Sequence, residues 1–407
     1  MKRRAVVIAA VIWMLLIAVI VSSTVTASLL SDGASRMISQ EDYEALQRYQ
    51  RLEEVHDTLV RDYYIPVDEE ALVTGAIRGM MDAVEDPYTF YYTSEEMRKA
   101  NENTEGVYHG VGMVVQLTAE GNIEIVRVYE DAPADSAGLQ RGDIIVAVDG
   151  VSLNGGNAKM LNDAVSMIQG EDGTDVTLTV LRDDESVDCT ATRAEVSISY
   201  VEYSLIGSDI GYLSLSQFTG NDVTGFKEAK AAFESADVKG MIVDLRGNPG
   251  GLLTDVVEIS DMLLPEGLIT YVEDRHGNRQ EEKSDAEYWD IPMVVLVNGS
   301  SASASELFSA AMQDYDRATI VGTQTFGKGI VQSLITFAED GAGMQLTTAS
   351  YYSPNGRSIH EQGVEPDVIV ELSEEYDPSI LEPDPKNDNQ LAAAIEELQK
   401  RIEAQEG

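Results

Sequence analysis

The sequence predicts a mixed α/β (α+β) protein in which a small β-rich domain lies between an N-terminal helical region and a larger α/β domain. Three observations carry this prediction. Residues 38–62 alternate charged and apolar positions at helical spacing, with Leu46, Tyr49, Leu52, Val55 and Leu59 along one stripe. From about Gly106 to Arg193, short β-rich runs alternate with turn signals such as "EGN", "VDG" and "EDG". From 194 onward, strand-like stretches ("IGYLSL", "GMIVDL", "MVVLVN", "ATIVG") alternate with helix-like ones ("TGFKEAKAAFES", "LTDVVEISDML", "ASELFSAAMQD").

Taken in order, Lys2, Arg3 and Arg4 precede seventeen residues, Ala5 to Val21, without a charge or strong polar group. This is a basic n-region followed by an apolar h-region, so residues 1–27 read as a signal peptide or membrane anchor. Val25 and Ala27 supply a small-residue cleavage site. Uncut, the stretch to about Val25 is just long enough to cross a bilayer, with the basic flank keeping the N-terminus inside. In either case the rest of the chain is expected outside the cytoplasm, in the cell envelope or secreted. A helical region follows over 37–104: Ile65-Pro66 ends the first helix, and Asp68 to Val84 forms a second with Leu72, Ala76, Met80 and Val84 on one face. The aromatic "EDPYTFYYT" then turns the chain. The β-rich domain spans 105–193, with helical pieces near Ala134–Gly138 and Ala158–Ile168. The α/β domain spans 194–382, and 383–407 is an acidic helical tail with Leu391, Ile395 and Leu398 on one face.

Composition limits what the chain can bind. With 28 Lys+Arg against 71 Asp+Glu, the net charge is −43. Nucleic acids and other polyanions are excluded as partners, because phosphate binding relies on clustered basic residues. Cys189 is the only cysteine, and the four histidines show no metal-ligand spacing. No metal and no cofactor are expected.

One stretch invites another reading. "GTQTFGKG" (322–329) fits the phosphate-loop pattern up to Gly329, which stands where a Ser or Thr would ligate Mg²⁺. A phosphate loop joins a strand to a helix. Here "IVQSLITF" follows, which reads as a second strand. Lys328 therefore needs another role.

"VVLVNGSSASASELFSAAM" offers it a partner: an apolar strand, a tight turn and then a helix. A serine at such a turn is held rigidly, with helix N-terminal N–H groups nearby to stabilise negative charge. A lysine activates a serine when burial lowers its pKa enough to leave a free amine. The residues alone leave Ser300, Ser301, Ser303, Ser305 and Ser309 open, and Ser303-x-x-Glu306 is also a capping box.

Two resemblances sharpen this. "YHGVGMVVQ" with "APADSAGLQRGDIIVAVDG" resembles a PDZ domain of the bacterial kind. Its loop Gly110, Val111, Gly112, Met113 can aim backbone N–H groups at a terminal carboxylate while the adjacent strand edge pairs with an extended peptide. "DLRGNPGG", "SSASASE", "TFGKGIVQ" and "GRSIHEQGVEPD" resemble the C-terminal processing (tail-specific) proteases, and the similarity runs from the N-terminal helices to about Val370. The resemblance implies a crotonase-like peptidase core with an inserted PDZ domain, an N-terminal helical region and a C-terminal helical tail. It implies a Ser–Lys endopeptidase acting on protein substrates held by their C-termini. By position, Ser303 is the nucleophile, Lys328 the general base and Gln332 the residue that orients the amine. The amides of Ala304 and Gly251 form the oxyanion hole, with Gly250 as the fallback. His360 carries no assigned role. The family commonly assembles through its terminal helices, so the stripes at 46–59 and 391–398 are compatible with a homodimer and equally with packing on their own core. A silent PDZ-bearing adaptor would not need Lys328, Gln332 and the glycine pair together. An acyl-CoA enzyme on the same fold would want basic residues for its nucleotide.

Overall fold

The computed structural model describes residues 39–406, with breaks at 119, 130, 154–155, 184, 198–199, 220, 375 and 377–382, together with residues 13, 14 and 17. The expected signal or anchor segment thus lies almost wholly outside the described residues. Among the described residues no helix is long and apolar enough to cross a membrane. The chain divides into two units at Met80/Met81.

The first unit is built on helix Gln40–Asp62 and most of helix Glu69–Asp82. Their apolar stripes line a shared groove of about 470 Å³ that includes Leu46, Leu52, Leu59, Leu72, Ala76 and Met80.

In the second unit, strand Phe90–Tyr92 leads into helix Ser94–Glu105, which Thr93 and Glu96 close with a reciprocal capping box. Strands Val107–Gly110 and Ala194–Ser197 pair antiparallel where the chain enters and leaves the β-rich domain. That domain's sheet runs in the order Met113–Leu117, Ile123–Val128, Ile144–Val148, Asp175–Arg182, Glu185–Thr192. Its core is formed by the inward residues of these strands with Met160, Ala164 and Ile168 of helix Ala158–Ile168. The helix C-terminus is fixed by buried Arg193, whose guanidinium donates to the carbonyls of Met167 and Ile168. A cation there complements the helix dipole as well as the orphan carbonyls.

The larger domain holds two sheets. One runs Val201–Ile206, Ile210–Leu215, Gly240–Asp244, Met293–Val297, Ala318–Gly322, Val368–Ile369, antiparallel at its first pair and parallel thereafter. Its central strands Gly240–Asp244 and Met293–Val297 are buried at every residue, as continuous apolar runs covered on both faces must be. One face meets helices Asp222–Ser235, Leu253–Asp261 and Ala304–Asp314. The other is covered by helix Asn389–Glu406 through Leu391, Ala394 and Leu398. The C-terminal stripe therefore packs on its own core. Arg246 ties that helix down by bridging Asp244 and Asp388. The second sheet pairs Gly343–Tyr352 with Phe90–Tyr92, Gly267–Asp274 and Ile330–Thr336. Helix Ala304–Asp314 contacts both sheets and is buried from Ala304 to Met312.

Candidate active site

Strand Met293–Val297 delivers the chain to a turn whose serines have separate tasks. The Ser301 hydroxyl donates to the Leu245 carbonyl at 2.8 Å, Ser305 to the Asn248 carbonyl at 3.0 Å and Ser309 to the Ser305 carbonyl at 2.7 Å. All three are buried, and Ser300 is exposed on the turn. Ser303 is the one of the five that lines a cleft of about 320 Å³. Its backbone has φ 57° and ψ −115°, a conformation costly for a residue with a Cβ.

The surroundings hold it there. Glu306, completely buried, accepts the Ser303 N–H at 2.8 Å, the Lys328 N–H at 2.8 Å, the Gly327 N–H at 2.6 Å and the Thr325 hydroxyl at 2.6 Å. The amides that would cradle a phosphate are occupied by a carboxylate of the protein itself, and strand Ile330–Thr336 follows the loop. Glu306 is therefore more than a helix cap. It ties the serine's backbone to that of the lysine, 25 residues on.

Lys328 lines the same cleft, with Gln332, Gly251 and Ala304. Burial, foremost, pushes its amine below the ordinary lysine range, while Asp86 and Glu306 pull in the opposite direction. The ammonium nitrogen sits 4.5 Å from the centre of the Tyr88 ring. Close backbone approach fixes the loop, since a Cβ on Gly329 would stand 2.3 Å from the His360 amide nitrogen. The Tyr351 hydroxyl donates to the Lys328 carbonyl and is hydrogen-bonded to the Ser303 side chain. Burial keeps that phenol neutral, far above its usual range. Gln332 follows a register shift between Val331 and Gln332. Such a bulge re-aims a side chain. Its amide makes long contacts, 3.4 Å to the Thr347 hydroxyl and 3.5 Å to the Ile330 carbonyl.

Across the cleft lies the "NPGG" turn. The Gly250 amide donates to Asn248 Oδ1 at 2.8 Å and is thereby engaged. Gly251 has φ 150°, and a Cβ there would come within 1.7 Å of the Phe218 carbonyl oxygen. Only glycine lets the chain run this close to its neighbour. Beside Gly329, His360 has a buried Nδ1 without a partner among the described residues.

A second site lies in the β-rich domain. Gly110, Val111, Gly112 and Met113 line a groove of about 280 Å³ with Val165 and Ile168 of the flanking helix. Val111 itself is 2% exposed, so its side chain belongs to the domain core and its backbone faces the groove. Strand Met113–Leu117 stands at the sheet edge. The carbonyls of Val111 and Gly112 are taken by the amides of Ala134 and Tyr129, which fixes the loop.

Sequence reasoning missed four participants. Glu306 was visible only as a capping residue. Thr325, Tyr351 and the Asp86–Tyr88 pair carry no local signal, because their partners are distant in sequence.

Residues 209–370 match peptidase family S41, 124–182 a PDZ domain, and 10–96 the N-terminal domain of the activating protease CtpB. The chain is 39% identical over 331 residues to a carboxy-terminal-processing protease of Bartonella bacilliformis, covering 78% of this chain and 74% of that one. It is 32% identical over 364 residues to the carboxy-terminal processing protease CtpA of Bacillus subtilis, covering 88% and 77%. A solved Bacteroides fragilis structure assigned to the S41 proteases matches the fold with a TM-score of 0.55 at 16% identity, over 85% of this chain and 97% of that one. The chain belongs to the C-terminal processing proteases of peptidase family S41, serine-type peptidases here carrying a PDZ domain.

Proposed function

We propose that this protein is an exported endopeptidase that captures a substrate's free C-terminus in its PDZ groove and cleaves the chain with a Ser303–Lys328 dyad. The observation that carries the reading is the convergence of Ser303, Lys328, Gln332, Gly251 and Ala304 on one cleft. An extended substrate adds to the edge strand Met113–Leu117, its carboxylate against the Gly110–Met113 loop. Lys328, as the free amine that burial favours, takes the Ser303 proton, and the hydroxyl oxygen attacks the peptide carbonyl. The amides of Ala304 and Gly251 stabilise the oxyanion. Gly251 is preferred to Gly250, whose N–H is committed to Asn248. Gln332 orients the amine. Lys328 then protonates the leaving amine, and water hydrolyses the acyl-enzyme. The N-terminal segment directs export, and it holds the chain at the membrane if it stays uncut. Ser303→Ala and Lys328→Ala, assayed on an unfolded protein substrate, are each expected to abolish cleavage while leaving peptide binding intact. Retained cleavage in either would overturn the dyad. Loss of cleavage only through loss of substrate binding would favour an adaptor.

A further inference from the structure

The turn Asp86–Thr89 lies outside every motif used above, yet it faces the lysine. Tyr88 presents its ring to the Lys328 nitrogen at 4.5 Å, and the Asp86 carboxylate is near enough to favour the charged amine. The turn is built to hold this position. Asp86 accepts the Tyr88 N–H at 3.0 Å and the Thr89 hydroxyl at 2.7 Å. The Tyr88 carbonyl accepts from Gln345 Nε2 at 3.0 Å, and Thr89 Oγ1 accepts the Thr347 N–H at 3.3 Å. Both partners lie on strand Gly343–Tyr352, which also carries Tyr351 and pairs with the strand after Lys328. Turn, lysine and Tyr351 are thus referenced to one strand.

We propose that Asp86 and Tyr88 are positioning residues for Lys328, with the ring as the amine's resting seat and the carboxylate as its counter-charge. The proposal rests on Lys328 being the general base. Ring and carboxylate both stabilise the ammonium, against burial, which disfavours it. The balance sets how much free amine exists at a given pH and where it waits while the Ser303 hydroxyl is bonded to Tyr351. The other titratable groups that bear on the site are Glu306, bonded to the Lys328 amide; Tyr351, on its carbonyl; and His360, whose charge bears on Asp86. Asp86 itself would be raised by burial, but hydrogen bonds from Thr347, Thr89 and the Tyr88 amide hold it below the usual carboxylate range. It therefore remains charged wherever the lysine titrates.

The test uses the full chain and its Tyr88→Leu, Tyr88→Phe and Asp86→Asn variants. Leucine keeps apolar cover without a ring, phenylalanine keeps the ring, and asparagine keeps the shape without the charge. Competitive acetylation of Lys328 between about pH 6 and 11, read by mass spectrometry, gives the amine's midpoint whether or not the lysine is catalytic. Tyr88→Leu and Asp86→Asn are each expected to move the midpoint toward acid by about half a pH unit or more. Tyr88→Phe should leave it in place. The rising limb of kcat/KM should move with the midpoint in the same variants, which a merely structural role would not produce. Midpoints unchanged in folded Tyr88→Leu and Asp86→Asn would overturn the proposal, as would a shift in Tyr88→Phe equal to that in Tyr88→Leu. If Tyr88→Leu does not fold, the near-isosteric Asp86→Asn decides alone. Cleavage by Lys328→Ala would sink the dyad instead, leaving the acetylation result to stand by itself.

Discussion

Replacing Glu306 by glutamine changes one oxygen to an NH₂ group in a site where every neighbour is a donor. Oε1 receives the Thr325 hydroxyl and the Gly327 amide, and Oε2 receives the Ser303 and Lys328 amides. Glutamine has one oxygen, so one of these pairs must face an NH₂ group. Turning the NH₂ toward Ser303 and Lys328 orphans two buried amides. Turning it toward Thr325 orphans the Gly327 amide, and the Thr325 oxygen already accepts the Val364 N–H at 2.6 Å. The second orientation is the cheaper. Hydrogen bonds to a charged group are worth about 1.5–3 kcal/mol each, and an orphaned buried donor costs about 1–3 kcal/mol. Removing a buried charge refunds part of this. A net destabilisation of about 3 kcal/mol follows, and Tm should fall by roughly 6–12 °C. Ser303 and Lys328 share this carboxylate, so their relative placement loosens as well. A displacement near 1 Å costs about a hundredfold in rate. Thermal melts and kcat on an unfolded substrate check both numbers. A Glu306→Gln protein with wild-type Tm and kcat would show that the four contacts do not hold the site together.

Gly251→Ala should lower kcat by about 10²–10³-fold, because the Cβ collides with the Phe218 carbonyl and the oxyanion amide must move; burst and steady-state kinetics test it, and an unchanged kcat would exclude that amide. Asp222, fully buried with one oxygen unpartnered, is pushed up to about 7, chiefly by burial. A raised carboxyl lets the folded state bind the proton more tightly, so its contribution is fully present below about pH 4 and is lost as pH rises toward 7, a change of roughly 4 kcal/mol at most. Asp222→Asn should match wild type near pH 4 and be the more stable protein at pH 8 in urea titrations; equal stability at both would refute this. Amidating a substrate's C-terminus should reduce kcat/KM about tenfold or more, one charge-assisted contact being worth about 1.5–3 kcal/mol. Unchanged kinetics would show that capture of the carboxylate is not needed.

What the sequence made legible, and what it hid, follows from the range of the interactions. The fully apolar strand Met293–Val297 and the fully buried helix after it announce themselves, because burial on all sides leaves no polar alternation. The Ser303 and Lys328 motifs are short, local and ordered along the chain. Choosing among five serines is not a local matter. Ser301 and Ser305 are disqualified by carbonyls of Leu245 and Asn248, more than fifty residues away. The same holds for "GTQTFGKG". Local pattern places an anion against its amides, and an anion is indeed there, but it is Glu306, brought in by the packing of one helix between two sheets. A phosphate loop and this loop meet the same electrostatic requirement, a ring of N–H donors needing negative charge. They differ only in whether the fold supplies that charge or leaves it to a ligand. Here the fold supplies it, which frees Lys328 from phosphate binding and leaves its amine to be governed by burial, Asp86 and the Tyr88 ring.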